Sequence, residues 1–168
     1  LLLIPAVFDW TRTGPSAYAY ADAGGVVQLV QRLSWIPSIN AQYLVGLDGL
    51  SLPLVILSTL IFVLAILASW RVERQPRGFF ALLLLLQTGV LGSFVALDLL
   101  LFFVFFEIAL LPMYFLIGIW GGPRKEYAAI KFFLYTFVGS IALLVALIAI
   151  SLRAGSFDLI SLPALLRQ

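Results

Sequence analysis

Four stretches of this chain are long and apolar enough to cross a lipid bilayer: residues 52–70, 79–97, 99–120 and 132–152. A span needs about 20 such residues to cover roughly 30 Å of hydrocarbon. Backbone groups in that layer find no water to bond, so each stretch must close its own hydrogen bonds as a helix. A barrel would need short strands of alternating hydrophobicity, and "ALLLLLQTGVLG" at 81–92 does not alternate. Residues 1–8, "LLLIPAVF", read as the end of a further transmembrane helix. The expected fold is an all-α membrane protein, a transmembrane helix bundle.

Composition narrows the chemistry. Only 11% of the 168 residues are charged and 63% are hydrophobic, against about 25% charged in soluble domains. Lipid must therefore be the solvent for most of the chain. A net charge of +2, without a basic stripe, gives no surface for nucleic acid. The absence of Cys and His excludes disulfides, thiolate chemistry, His-ligated haem and Cys/His zinc sites. No phosphate-binding loop, dinucleotide fingerprint or nucleophile elbow is present. Chemistry is left to carboxylates, Lys, Arg, Tyr and hydroxyls, with no redox machinery. The chain begins at Leu1 on a hydrophobic tail without a basic leader, so it reads as part of a longer protein.

Basic loop residues set the expected orientation. Arg71, Arg74 and Arg77 lie between the first two spans, and Arg124, Lys125 and Lys131 between the third and fourth. Both groups should face the cytoplasm, with Trp70 and Trp120 at that interface. Asp98, between the second and third spans, should face outside, together with residues 9–46 and the connector at 153–168. Arg12 and Arg32 run against this assignment. Within 9–46, "GGVVQLVQRLSW" (24–35) places Val26, Val27, Leu29, Val30 and Leu33 on one broad helical face. That pattern suggests a surface helix lying in the interface.

Polar residues inside the spans are the candidate functional groups. Glu107 lies about 12 Å along its helix from Leu99, close to mid-membrane. Placing an acid there costs about 2.5–3.5 kcal/mol. One reading is a protonated acid bonded to a neighbouring helix for packing; the other is a proton or ion site. Intramembrane ionisable groups favour the second. Pro112 leaves the Ile108 carbonyl without its helical donor, although proline is common in such helices. Lys131 opens the fourth span, and position alone has it snorkelling to the interface. Tyr135 and Gly139 follow it on one face, with Thr136 and Ser140 as an adjacent polar stripe. Gly89 and Ser93 form a small-residue pair suited to a close helix contact.

Two blocks, "FFEIALLPMYFLIGIWGG" (105–122) and "YAAIKFFLYTFVGS" (127–140), resemble the antiporter-like membrane subunits of respiratory complex I, the proton-pumping NADH:quinone oxidoreductase. "VGLDGLSLPLVILSTLI" (45–61) is more similar to the M-type subunit (chain 4) than to the L- or N-type. The resemblance runs from about Val45 to Ser151. It implies a fourteen-helix fold, of which this chain covers the end of the second helix through the sixth. It also implies that Glu107 is the family's essential fifth-helix glutamate and that Lys131 is its sixth-helix lysine, whose role is less central. Phe106 stands where the family often has Trp. The seventh-helix lysine that partners the glutamate lies beyond this chain.

The resemblance further implies proton translocation through Glu/Lys groups, coupled to quinone reduction elsewhere in the complex. It implies no cofactor in this chain, with NADH, FMN, iron–sulfur clusters and quinone held by other subunits. The implied partners are the other membrane subunits, especially the L- and N-type, and the bilayer. The implied membrane is the bacterial plasma membrane, or the inner mitochondrial membrane in a eukaryote. A multisubunit cation/proton antiporter and a membrane-bound hydrogenase share these blocks. A non-transporting structural subunit is the rival of another class.

Overall fold

The computed structural model describes residues 27–162. The helix end expected at 1–8, Arg12 and the last part of the 153–168 connector lie outside these residues. The described elements are strands β1 (Gln28–Ile36) and β2 (Ala41–Leu47), joined by a 3-10 turn at Pro37–Ile39. Four helices follow: α1 (Ser51–Ala68), α2 (Pro76–Val95), α3 (Leu99–Trp120) and α4 (Lys125–Ala154). Each helix is long and apolar enough to cross a membrane. Large apolar side chains such as Leu57, Leu60, Leu64, Leu84 and Val145 stand exposed along them. Such surfaces belong in lipid, and the chain is an integral membrane protein.

The surface helix expected over 24–35 is not found: Gln28–Ile36 is a strand paired antiparallel with β2, Arg32 opposite Leu44 and Leu33 opposite Tyr43. A short apolar run rich in Val and Leu fits either period, and the following residues decide it. Pro37 begins a tight turn, and Asn40 closes it in the left-handed region at φ 55°, a conformation Asn tolerates. The Arg32 Nε donates to Gln42 Oε1 across the hairpin.

The hairpin sits over one end of the bundle. Leu97 N donates to the Leu44 carbonyl at 2.9 Å, Leu99 N to the Phe157 carbonyl at 2.9 Å, and Leu159 N to the Leu97 carbonyl at 2.9 Å. The residues after α4, expected as a connector, thus fold back against the start of α3. At the opposite end, Trp120 Nε1 donates to the Arg74 carbonyl at 2.6 Å, and its ring meets Phe79 edge-on at 5.3 Å. The two basic loops therefore share one end of the bundle.

Helix α4 begins at Lys125, well before the span expected at 132–152. Hydropathy marks the apolar part of a helix, whereas the helix itself continues into the polar layer. Lys131 consequently lies more than a turn inside α4 rather than at its opening.

Candidate functional site

Asp98 starts α3. Its Oδ1 accepts from Leu100 N at 2.9 Å and Leu101 N at 3.1 Å, a side-chain cap on the first turn. Its Oδ2 accepts from Gln42 N of β2 at 3.0 Å. The residue is 1% exposed. Burial pushes its carboxyl above the ordinary value of 3.8, against the pull of these three N–H groups, and nearby Asp158 pushes the same way as burial. Asp158 Oδ1 in turn accepts from Ile160 N at 2.8 Å. By position in the sequence, Asp98 is a loop charge between two spans. An Asp immediately before an apolar helical run is nonetheless a capping signal.

Helices α2 and α3 approach closely further along. A Cβ on Gly89 would lie 2.7 Å from the Ala109 backbone nitrogen, and one on Gly92 would collide with the Phe105 ring. The small residues at this contact are Gly89 and Gly92. Ser93 instead turns its hydroxyl onto its own helix, donating to the Gly89 carbonyl at 2.9 Å.

Glu107 lies between Phe105 and Ala109 but points elsewhere, because a two-residue step turns roughly 200° around a helix. It shares a face with Tyr114 and Gly118, which meet α4. Tyr114 and Phe133 rings are 5.4 Å apart, and a Cβ on Gly118 would lie 3.5 Å from that of Ala129. Glu107 Oε1 is buried and has no hydrogen-bond partner. An unsatisfied buried acceptor of this kind costs about 1–3 kcal/mol.

Lys131 is elsewhere. It is exposed on α4, its Nζ lying 5.6 Å from the Tyr127 ring centre and 5.8 Å from that of Tyr135. Both are cation–π distances. The three residues border an open groove of about 560 Å³ together with Arg124, Phe132 and Thr136. Lys131 precedes Phe133 by two residues, so the Tyr114–Phe133 contact sets its depth roughly 13 Å from Glu107 along the helix axis. No ion pair joins them among the described residues. No group of three or more Asp or Glu able to hold a metal occurs among the described residues either.

The apolar helix bundle is similar to the antiporter-like membrane subunits. Residues 96–167 match the family described as NADH:quinone oxidoreductase/Mrp antiporter, transmembrane. Residues 25–93 match NADH-ubiquinone oxidoreductase chain 4, amino terminus. Over these two segments the chain is similar to that class, and over residues 25–93 to its chain 4 members.

An NAD(P)H-quinone oxidoreductase chain 4 of Microcystis aeruginosa is 49% identical over 139 residues, covering 81% of this chain and 25% of the relative. Another, from Synechococcus sp. (strain JA-3-3Ab), is 50% identical over 133 residues, with 79% and 25% covered. The chain thus spans about a quarter of the length of the curated relatives it matches. Among solved structures, a chain of respiratory complex I from Thermus thermophilus with bound NADH superposes with a TM-score of 0.72 at 35% identity. That match covers 82% of this chain and 29% of the other. A chain of the Mrp complex from Dietzia sp. DQ12-45-1b gives 0.75 at 26% identity, covering 83% and 17%.

Proposed function

We propose that this chain is the proton-carrying part of an M-type membrane subunit of NADH:quinone oxidoreductase, in which Glu107 is the group that loads and releases the proton. The observation that carries this reading is the buried, unpartnered Oε1 of Glu107 in the middle of a span. An oxygen without a fixed hydrogen-bond partner is free to take a new one. A structural acid would be expected to be bonded, as Asp98 is.

In this reading quinone reduction occurs elsewhere in the complex, and the other subunits hold NADH, FMN, the iron–sulfur clusters and quinone. The L- and N-type membrane subunits are neighbours of this one. Lys131, roughly 13 Å away along the axis, serves as a separate basic station toward the end that carries the basic loops, and does not pair with Glu107. That end faces the cytoplasm by the positive-inside rule. Single cysteines placed at Arg74 and at Leu50, which is 73% exposed near the hairpin, should label from opposite sides of the membrane. Labelling of both from one side would reverse this topology.

The second reading, a subunit of a cation/proton antiporter, rests on the slightly higher TM-score of the Mrp chain. The higher identity to the Thermus complex I chain favours the first.

The test is Glu107→Gln in the complete complex, with proton translocation into membrane vesicles normalised to assembled complex. Pumping should fall by about tenfold or more, equivalent to roughly 1.4 kcal/mol, while assembly is preserved. Glu107→Asp should retain part of the activity. Full pumping by an assembled Glu107→Gln variant overturns the proposal in favour of a structural subunit.

A further inference from the structure

Ser140 lies in the middle of α4 and is 3% exposed. Its hydroxyl has only a long hydrogen bond, donated to the carbonyl of Phe137 in its own helix at 3.4 Å. This is near the outer limit for such a bond. Thr136, one turn earlier, makes the same kind of bond to Phe132 at 2.8 Å. Ser140 is thus a buried hydroxyl held weakly.

Its position follows from the register of α3 against α4. The helices run antiparallel, Gly118 beside Ala129 and Tyr114 beside Phe133. Toward the hairpin end, Leu99 and Leu147 share one apolar cluster. These contacts keep one alignment: each step back along α3 is matched by a step forward along α4. About two turns before Tyr114 comes Glu107, and about two turns after Phe133 comes Ser140. Two full turns nearly restore the starting face. Both residues therefore stand at one depth on facing sides of the same interface.

Two weakly satisfied polar groups are thus set against each other in an apolar layer: a carboxyl with a buried Oε1 lacking any partner, and a hydroxyl on a stretched bond. Other hydroxyls nearby are engaged, Thr88 donating to Leu84 and Ser93 to Gly89. The only side-chain charge on α2 is Arg77, in its first turn. On α4, Lys131 and Tyr135 lie nearer the basic-loop end, and Arg153 lies in the last turn.

Resting on the reading of Glu107 as the proton-carrying group, we propose that Ser140 is its positioning residue. Its hydroxyl leaves the Phe137 carbonyl and hydrogen-bonds the Glu107 carboxyl across the α3–α4 interface. A hydroxyl both donates and accepts, so it serves the carboxylate as donor and the protonated acid as acceptor. One rotation exchanges a poor bond for a good one and satisfies the orphaned oxygen. The side chain of Glu107 is then held toward α4 in both protonation states.

The experiment combines infrared difference spectroscopy and pumping on the complete complex in membranes. The carboxyl C=O band of Glu107 is identified by its loss in Glu107→Gln. Ser140→Ala should move that band to higher frequency by removing a hydrogen bond, and should lower pumping by about tenfold. Ser140→Thr keeps the hydroxyl and should restore both. In the Glu107→Gln background, Ser140→Ala should add no further loss. An unmoved band and unchanged pumping in Ser140→Ala, with Glu107→Gln inactive, overturn the role of Ser140 and leave that of Glu107 standing. An equal loss from Ser140→Ala in both backgrounds also overturns it. Normal pumping by Glu107→Gln removes the Glu107 reading itself, a result distinct from either.

Discussion

Two carboxylates on one helix are treated in opposite ways. Asp98, at the start of α3, has both oxygens engaged by backbone N–H groups from its own first turn and from β2. Glu107, further along the same helix, leaves a buried oxygen without any donor. The first joins the hairpin to the bundle and contributes to stability. The second contributes nothing comparable, and its cost is retained at the depth where an ionisable group is most expensive. In the proposed function, stability and transport therefore fall to different acids, and substitution should separate them.

The largest effect should come from Asp98→Ala, which removes a helix cap and charge-assisted bonds to two elements. A loss of about 3 kcal/mol is expected, read from denaturant unfolding of the purified subunit, with the hairpin end affected first. Next, Gly89→Ala drives a methyl group into the Ala109 backbone, and overpacking of this kind costs about 1–3 kcal/mol. The matched control is Gly139→Ala, where nothing lies within 4 Å of the new methyl and the change should stay within about 0.5 kcal/mol. Smaller than the Gly89→Ala effect, Glu107→Leu should unfold within about 1 kcal/mol of the parent, on either side, because a buried polar group is exchanged for an apolar one. A loss as large as that of Asp98→Ala would break the contrast and make Glu107 structural.

The smallest expected effect is a pH slope. The Asp98 carboxyl is held above its ordinary value of 3.8 by burial, so it binds its proton more tightly when folded than when unfolded. Its contribution to stability is then greatest below 3.8 and declines as pH rises through the raised value. Asp98→Asn should flatten that decline in a series of unfolding midpoints. A steeper decline in the variant would contradict the assignment.

How much of this was legible in the sequence depends on the distance over which each feature is determined. The spans were, because lipid imposes helix on any sufficiently apolar stretch. The mid-span position of Glu107 was, because it follows from counting along its own helix. The start of α4 was not, since Lys125 and Glu126 are helical yet polar and hydropathy records only the lipid-facing part. The hairpin was not, because Gln28–Ile36 has no firm period of its own, and its conformation is fixed by β2 and by the turn at Asn40. Asp98 was half legible: its cap follows from neighbours in sequence, but its bond to Gln42 needs the folded hairpin. The depth of Lys131 relative to Glu107 was equally hidden, since the helix register comes from ring contacts such as that of Tyr114 with Phe133.

The glycine contact between α2 and α3 bears on how motion can reach the carboxylate. With Gly89 seated against the Ala109 backbone, neither helix can slide along the other without main chain meeting main chain, so the two behave as one strut. On the other flank of α3 the neighbours are side chains, the tilted ring pair of Tyr114 and Phe133 among them, which yield by rotation. Glu107 thus has a stiff wall behind it and a compliant one in front. A movement beside Glu107 is therefore accommodated more readily on the α4 side than on the α2 side.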